Sequence, residues 1–374
     1  MALTLAQAKA LSDSKLTNQI IDEFRKSPLL DALTFDNTVK VQGGKTLAYV
    51  YNRITTQPTA GTRAINGEYV AQETVTTQNT VNLKVMGGAY ELDRVIANDE
   101  KQVVDQIEFQ TTQKAKATVA VFNDLFINGN STVTATEFDG IDKAVTGSTT
   151  ERNADSFINL SDSSNIDSNY KNFLYQIRKL EASMDGKPTH YLMNGDLFAV
   201  FQTIADRVPN IHYVKNELGE EVLKYGNALL VEMGDKAGSS DPIIGNVGKS
   251  VGTGTGSYSL TTDTDINPAK IYYTRSGSSP NYTYTKVTTP AKADIATYYE
   301  QAGEYVTGLT DLYAVRLGMD GVHGVSPDGD TLIKHYYPDF KTAGAVKKGE
   351  VEFVGAIAIK ATKSVGAIRN IKVA

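Results

Sequence analysis

Residues that could do chemistry are few in this sequence, and their spacing is poor. The four histidines, His190, His212, His323 and His335, lie far apart. None has the H-x-x-x-H or H-E-x-x-H spacing that sets two imidazoles on one helix face for a metal. Each reads as a surface or strand-edge histidine. Gly248-Lys249-Ser250 and Gly44-Lys45-Thr46 approach a phosphate-binding loop. That loop needs an earlier glycine so that backbone amides can curl around phosphate, and Ile243 and Val39 stand there instead. Both stretches read as turns. The run Gly252-Thr253-Gly254-Thr255-Gly256 precedes a strand-like stretch, not a helix, so it lacks the context of a dinucleotide site. Asp320, Asp328 and Asp330 sit in MDGVHGVSPDGD without the closing bidentate Glu of a calcium loop. They read as turn-forming aspartates in a loop. The chain has no Cys, which excludes disulfides, thiolate metal sites and cysteine nucleophiles. The expectation is a chain with no catalytic residue, no metal and no cofactor, and therefore not an enzyme.

Composition points the same way. Of 374 residues, 41% are hydrophobic and 21% charged, enough apolar matter to fold most of the chain. The length exceeds the roughly 250–300 residues at which single cores stop growing, so more than one domain is expected. A net charge of −6 argues against coating a nucleic acid by bulk charge. The N-terminal run lacks a basic segment followed by an apolar one, and no stretch reaches 18 apolar residues. Neither a secretory signal nor a membrane helix is expected, and synthesis in a cytoplasm follows.

The elements that would position any site are clearer. Residues 4–26 carry Leu5, Ala8, Leu11, Leu16, Ile20, Ile21 and Phe24 at helical spacing, stopped by Pro28. NTVKVQ and GGKTLAYVYNRI read as short strands around a Gly-Gly turn. Residues 57–80 are polar yet β-prone. They predict an exposed two-stranded excursion, which needs something to lie on because a lone ribbon is marginal in water. Residues 92–128 lack Gly and Pro and place Ile96, Val103, Ile107, Val119, Phe122 and Phe126 near one face. They predict one helix of roughly 50 Å, a spine lying along a sheet. Residues 166–208 read helix, strand, helix, and GNALLVEM reads as a buried strand, so an α/β-like module is expected over 165–245. From 251 to 290 Thr, Ser, Gly and Tyr dominate. GSYSLTT, KIYYTRS and YTYTKVTT there predict a small inserted β-domain. DLYAVRLG and the terminal EVEFVGAIAIKATKSVGAIRNIKVA read as further strands.

Taken in this order, the elements resemble the major capsid proteins of tailed phages with the Hong Kong 97-like fold, over nearly the whole chain apart from about 246–304. KLTNQIIDEFRKSPLLDAL looks like the N-terminal helix and arm. GGKTLAYVYNRI leads into a ribbon like the family's extended loop. The stretch from YELDRVIANDE to NDLFINGN resembles the spine helix, and EFDGIDKA the loop around a G-[IL] step. THYLMNGDLFAVFQTIADR and LYAVRLGMDGVHG resemble axial-domain elements, and VEFVGAIAIKATKS the closing strands of the peripheral sheet.

The resemblance implies an α+β fold with these parts: N-terminal helix and arm, 1–56; extended β-hairpin loop, 57–83; peripheral domain with spine helix, 84–164 and 335–374; axial α/β domain, 165–245 and 305–334; inserted β-domain, 246–304. It also implies a homo-oligomer of pentamers and hexamers closing into an icosahedral shell around double-stranded DNA, located in the virion and without sequence-specific DNA binding. Separate scaffolding, portal and decoration proteins are the further partners it allows. Some members crosslink an extended-loop Lys to a neighbour, but no Lys lies between Arg53 and Lys84, so no such crosslink is expected. Arg25 and Lys26 on the arm and Arg63, Glu68 and Glu73 on the ribbon are the expected subunit contacts, because charges on an excursion without a core should pair across subunits. A second reading uses the same fold for an encapsulin-like compartment that encloses a cargo enzyme.

Overall fold

The computed structural model describes residues 29–38, 46–56, 58–97, 106–153, 156–215, 221–267, 270–278, 281–287, 290–327 and 333–374. The predicted helix over 4–26, with Arg25 and Lys26, lies outside them. The chain divides into two compact units, one holding residues 30–140 and 318–362 and the other 141–317 and 363–374.

The first unit is organised by one long strand, Val346–Ile359. Its early residues pair antiparallel with Lys84–Asp93, from Val346 opposite Asp93 to Gly355 opposite Lys84. On the other side Ile333–Tyr336 pairs with it, Ile333 opposite Phe353. Further along, Val322–Ser326 pairs with it, Val325 opposite Ala356, and Phe35–Asn37 completes the five-stranded sheet in parallel. The burial pattern explains the sequence. Residues 348–351 alternate exposed and buried, as in a strand with one wet face, whereas Gly355, Ala356, Ile357 and Ala358 are all buried. Continuous burial means that both faces are covered there.

One face is covered by the helix Gln106–Asn128. Thr111, Thr118, Phe122 and Phe126 are buried along it, the stripe that 3.6 residues per turn produces. Phe122 meets the rings of Phe353 at 5.2 Å, Phe138 at 5.7 Å and Phe35 at 6.0 Å, between centroids. The Tyr90 hydroxyl and Thr111 Oγ1 are hydrogen-bonded at 2.7 Å. The start of the helix predicted over 92–128 is corrected here: Leu92 and Asp93 belong to the strand, Arg94–Ala97 is helical, and Gln106–Asn128 adds 23 helical residues, about 35 Å, while residues 98–105 lie outside the described ones. Asp93 makes the break. Its carboxylate accepts from the Val95 amide at 2.8 Å, capping a new turn instead of continuing the strand.

The helix ends where the chain must come very close to itself. Gly140 donates its amide to the Gly129 carbonyl at 2.7 Å. A Cβ on Gly140 would stand 2.6 Å from the Ile127 carbonyl oxygen and 2.7 Å from that of Leu125. These are backbone atoms and cannot swing aside, so the glycine of the EFDGIDKA stretch is a steric requirement. Gly140→Ala is expected to destabilise the first unit by about 1–3 kcal/mol or more, the usual cost of overpacking. A urea midpoint indistinguishable from that of the natural chain would contradict the close approach.

The second unit holds an eleven-stranded sheet around the 17-residue strand Tyr299–Val315. The last third of that strand lies between His190–Met193 (Tyr313 opposite Leu192) and the final strand Val365–Lys372 (Val315 opposite Val365). Beyond His190–Met193 come Ala228–Glu232 in parallel, then Glu221–Tyr225 and Ile211–Lys215. The parallel pair is crossed over by Gly195–Ala205, the βα unit that alternating helix and strand predicts. Ser163–Ser183 packs beside it, with Phe173 against Phe201 at 5.3 Å. Both helices start on a side-chain cap, the Asp162 carboxylate accepting from Asn165 N and the Asn194 amide oxygen from Leu197 N.

Residues of the expected inserted β-domain hang on the early part of the same long strand. Val247–Leu260 and Lys270–Ser278 pair with it, and Asn281–Lys286 adds outside the latter. The insertion is thus continuous with the large sheet. Tyr272, Ile295 and Tyr298 form its small core, and Lys270 bridges Asp263 at 3.0 Å and Glu300 at 2.9 Å.

The final strand carries a buried cation. Arg369 donates from Nε to Glu151 at 2.9 Å and from Nη1 to Asp311 at 2.8 Å, to the Tyr313 hydroxyl at 2.9 Å and to Asp142. Burial and the surrounding carboxylates push the Tyr313 hydroxyl well above its ordinary range.

Candidate subunit interface

The ribbon is built from Ala48–Thr56 and Val75–Asn82, paired antiparallel from Ala48 opposite Asn82 to Thr56 opposite Val75. Side chains along a strand alternate sides. Tyr49, Tyr51 and Arg53 therefore turn one way, and Val50 and Ile54 the other. The first set anchors the ribbon root to the sheet of the first unit. Tyr49 donates to the Asp36 carboxylate at 2.8 Å, and Tyr51 to the Ile359 carbonyl at 2.9 Å. Arg53 donates from Nε to the Lys360 carbonyl at 2.9 Å and from Nη2 to the Tyr51 hydroxyl at 3.1 Å. Leu83 and Val81 pack with Tyr49 and Tyr51 on Val325, Val354 and Ala358, which covers the second face of the sheet. Burial, with the Asp36 hydrogen bond, raises the Tyr49 hydroxyl pKa far above its usual value. Burial also raises that of Tyr51, against the pull of Arg53.

The other set faces outward: Val50 is 48% and Ile54 55% exposed. Between the strands, residues 58–74 are all exposed except half-buried Gly67. A tight turn shapes the tip, with Gly67 N donating to the Ala64 carbonyl at 3.0 Å and Asn66 at φ 69°. Asn is among the few residues with a side chain that tolerate that conformation. Arg63 donates to the Ala64 and Gly67 carbonyls, both at 3.2 Å, and lies 5.3 Å from the Tyr69 ring centroid. Thr59 N and Oγ1 both donate to Gln72. Ile65 and Val70 nonetheless stand 92% and 86% exposed, with Tyr69 beside them.

Arg63, Glu68 and Glu73 are thus placed on the exposed tip. Arg63 finds partners only within its own turn, and no hydrogen bond or ion pair to Glu68 or Glu73 occurs among the described residues. The root clamp of Tyr49, Tyr51 and Arg53 was not anticipated, although the Y-V-Y-N-R alternation signals it. The apolar tip residues were not anticipated either.

His323 corrects two expectations. The sequence predicts a surface or strand-edge histidine within a loop, yet Val322–Ser326 is a strand buried throughout and His323 is 0% exposed. The reason is topological: this strand is paired on both sides and covered by the ribbon root. His323 packs edge-to-face on Tyr49 at 5.6 Å. Burial, with the nearby Lys360 charge, pushes its pKa down to about 4, against the weaker pull of Asp36.

Among the described residues no group of three or more acidic or histidine side chains could hold a metal, and no helix is long and apolar enough to cross a membrane. What this surface can do is meet another protein. An exposed stretch with apolar side chains and a rigid, hydrogen-bonded root is suited to pack on a complementary surface.

No protein-family model matches the sequence, and no curated protein matches it. Solved structures do. The encapsulin of a holo-SrpI complex from Synechococcus elongatus PCC 7942 is 12% identical, with a TM-score of 0.54 over 100% of this chain and 97% of that one. A chain of Mycobacterium phage Bobi is 10% identical, with a TM-score of 0.52 over 100% of both. One of Gordonia phage Cozz is 9% identical, with a TM-score of 0.52 over 96% of this chain and 91% of that one. The chain therefore has the α+β Hong Kong 97-like fold of phage capsids and encapsulins.

Proposed function

We propose that this chain is the major capsid protein of a tailed bacteriophage. Its copies form pentamers and hexamers that close into an icosahedral shell around double-stranded DNA. The observation that carries this reading is the ribbon: a clamped root, and a tip that exposes Ile65, Tyr69 and Val70 without a core of its own. On a shell wall that tip lies over a neighbouring copy, which removes its apolar side chains from water. Arg63, Glu68 and Glu73 then pair across subunits, as do Arg25 and Lys26 of the arm. Exposed pairs contribute only about 0–1 kcal/mol each, so the apolar contacts supply most of the affinity. In this scheme residues 57–83 are the extended loop; the peripheral domain, expected over 84–164 and 335–374, is matched to the unit of 30–140 and 318–362, and the axial domain, expected over 165–245 and 305–334, to the unit of 141–317 and 363–374. Residues 246–304 are its insertion. The fold shared with an encapsulin supports a second reading, a compartment around a cargo enzyme.

The test is electron microscopy of the full chain, expressed alone and with neighbouring genes, beside a chain whose residues 58–74 are replaced by a short Gly-Ser loop. Closed shells from the natural chain and folded, unassembled protein from the variant are expected. Normal shells from the variant would refute the role given to the ribbon. Nuclease-protected DNA inside particles from infected cells marks a capsid, whereas a co-purifying enzyme without DNA marks the compartment.

A further inference from the structure

A second property of the ribbon concerns its attachment to its own sheet, and it does not depend on the shell reading. His323 lies beneath the root with no exposure, and neither ring nitrogen has a hydrogen-bond partner. The group covering it is Tyr49, whose hydroxyl is committed to Asp36. The charged groups around it are Lys360, which follows the long strand, and Asp36, on the first strand of the sheet. The Lys360 ammonium also lies 5.5 Å from the Tyr49 ring centroid, so the root is held between a cation and the imidazole. The other neighbours on this face are apolar: Val325, Ala358, Leu83 and Val81.

Neutral imidazole suits this place, because it packs as an aromatic ring. Imidazolium does not. It carries two N–H donors with no acceptor and a charge removed from water, beside a like charge. We propose that His323 is a proton-operated release for the ribbon root: when it is protonated, Tyr49 and the strand Ala48–Thr56 lift from the sheet so that the ring can reach water. The hydrogen bonds of Tyr51 and Arg53 to the 359–360 backbone are lost together with the root, while the sheet beneath remains paired.

The sign follows from linkage. The lifted state exposes a histidine of ordinary pKa, near 6.5, whereas the docked state holds it near 4. Docking therefore releases a proton and is favoured at neutral pH. It weakens as pH falls below about 6.5, and the loss is complete below about 4. The docking constant is expected to fall about thirtyfold by pH 5 and roughly a hundredfold or more by pH 4.

The experiment is backbone hydrogen exchange on the full chain between pH 7 and 4, corrected for intrinsic rates. Residues 48–56 and 75–82 are followed, with 365–372 as the internal reference. The natural chain is compared with His323→Phe, which keeps an aromatic ring without a titrating group, and with Asp36→Asn, which keeps an acceptor without a carboxylate. Ribbon protection should fall with pH in the natural chain and in Asp36→Asn, and stay flat in His323→Phe. Exchange of the His323 ring C–H hydrogen reports its protonation in the natural chain, which keeps the test open if a variant misfolds. Its midpoint should coincide with ribbon release. Ribbon protection that stays constant to pH 4 while His323 gains its proton overturns the proposal. So does a loss that persists in His323→Phe and vanishes in Asp36→Asn, which would assign the response to Asp36.

Discussion

Replacing Arg369 with leucine is expected to cost about 3–5 kcal/mol, because it leaves partly buried carboxylates without their cation. The Arg369 side chain is 9% exposed, and its partners Glu151 and Asp311 are 10% and 22% exposed. Asp142 is 41% exposed and can turn to water, so its share is small. The guanidinium also donates to Thr146 and to Tyr313, and Asp311 receives the Asn370 amide at 3.0 Å. The cluster thereby ties the last strand to residues 142–151 and to the long central strand. Lysine should rescue little, since one ammonium cannot serve as a planar fork. The deficit should shrink when Glu151→Gln and Asp311→Asn are added to Arg369→Leu, because the stranded charges are then gone. Urea unfolding followed by circular dichroism measures this, with hydrogen exchange at 365–372 to localise it, since a chain of two units need not unfold in one step. A loss under 1 kcal/mol would mean that the cluster is solvated and the argument fails.

The parts of this fold that were legible in the sequence are those where local pattern and tertiary environment agree. Residues 163–183 and 195–205 carry both a cap and an apolar stripe, and they fold as helices where periodicity places them. The strands at 190–193 and 228–232 are short apolar runs between turn signals. An exposed ribbon was legible because β-prone residues without apolar partners can only form something exposed, but its strands are Ala48–Thr56 and Val75–Asn82, not two strands within 57–80, and 58–74 is loop. Pattern failed where two elements share one apolar spacing. Leu92 and Ile96 fit a helical stripe, yet Leu92 is a strand residue whose alternation with Tyr90 and Met86 is satisfied by ten paired positions. His323 failed for another reason. Whether a strand is an edge or a centre depends on partners nearly three hundred residues away in sequence, here Phe35–Asn37. The ribbon root shows the same limit. The Y-x-Y-x-R spacing is visible, but the carbonyls of Ile359 and Lys360 that make it a clamp are not.

The second large effect is expected at Phe122. Its ring is fully buried and meets four others, on Phe35, Phe126, Phe138 and Phe353. These come from the first strand, the helix itself, the loop that returns past Gly140, and the long strand. Truncation removes the one side chain that touches all four and leaves a cavity whose rigid walls cannot close in. Phe122→Ala should cost about 3–5 kcal/mol. Phe122→Leu, which keeps more of the volume, should cost distinctly less. The loss should be local to the first unit. Hydrogen-exchange protection should fall over 106–128 and 346–359, and hold at 190–193 and 228–232, whose core is built around Phe173 and Phe201. Uniform loss across both regions would show that the two units share one cooperative transition. Equal costs for alanine and leucine would show that the ring cluster does not bind the helix to the sheet. The distinction bears on function, because the same sheet holds the ribbon root on its opposite face. A helix loosened on one side should leave Tyr51 and Arg53 in place, since their acceptors are backbone carbonyls of residues 359 and 360, at the far end of the long strand from its pairing with Lys84–Asp93. Ribbon protection that survives in Phe122→Ala would therefore separate the stability of the unit from the anchoring of its assembly surface.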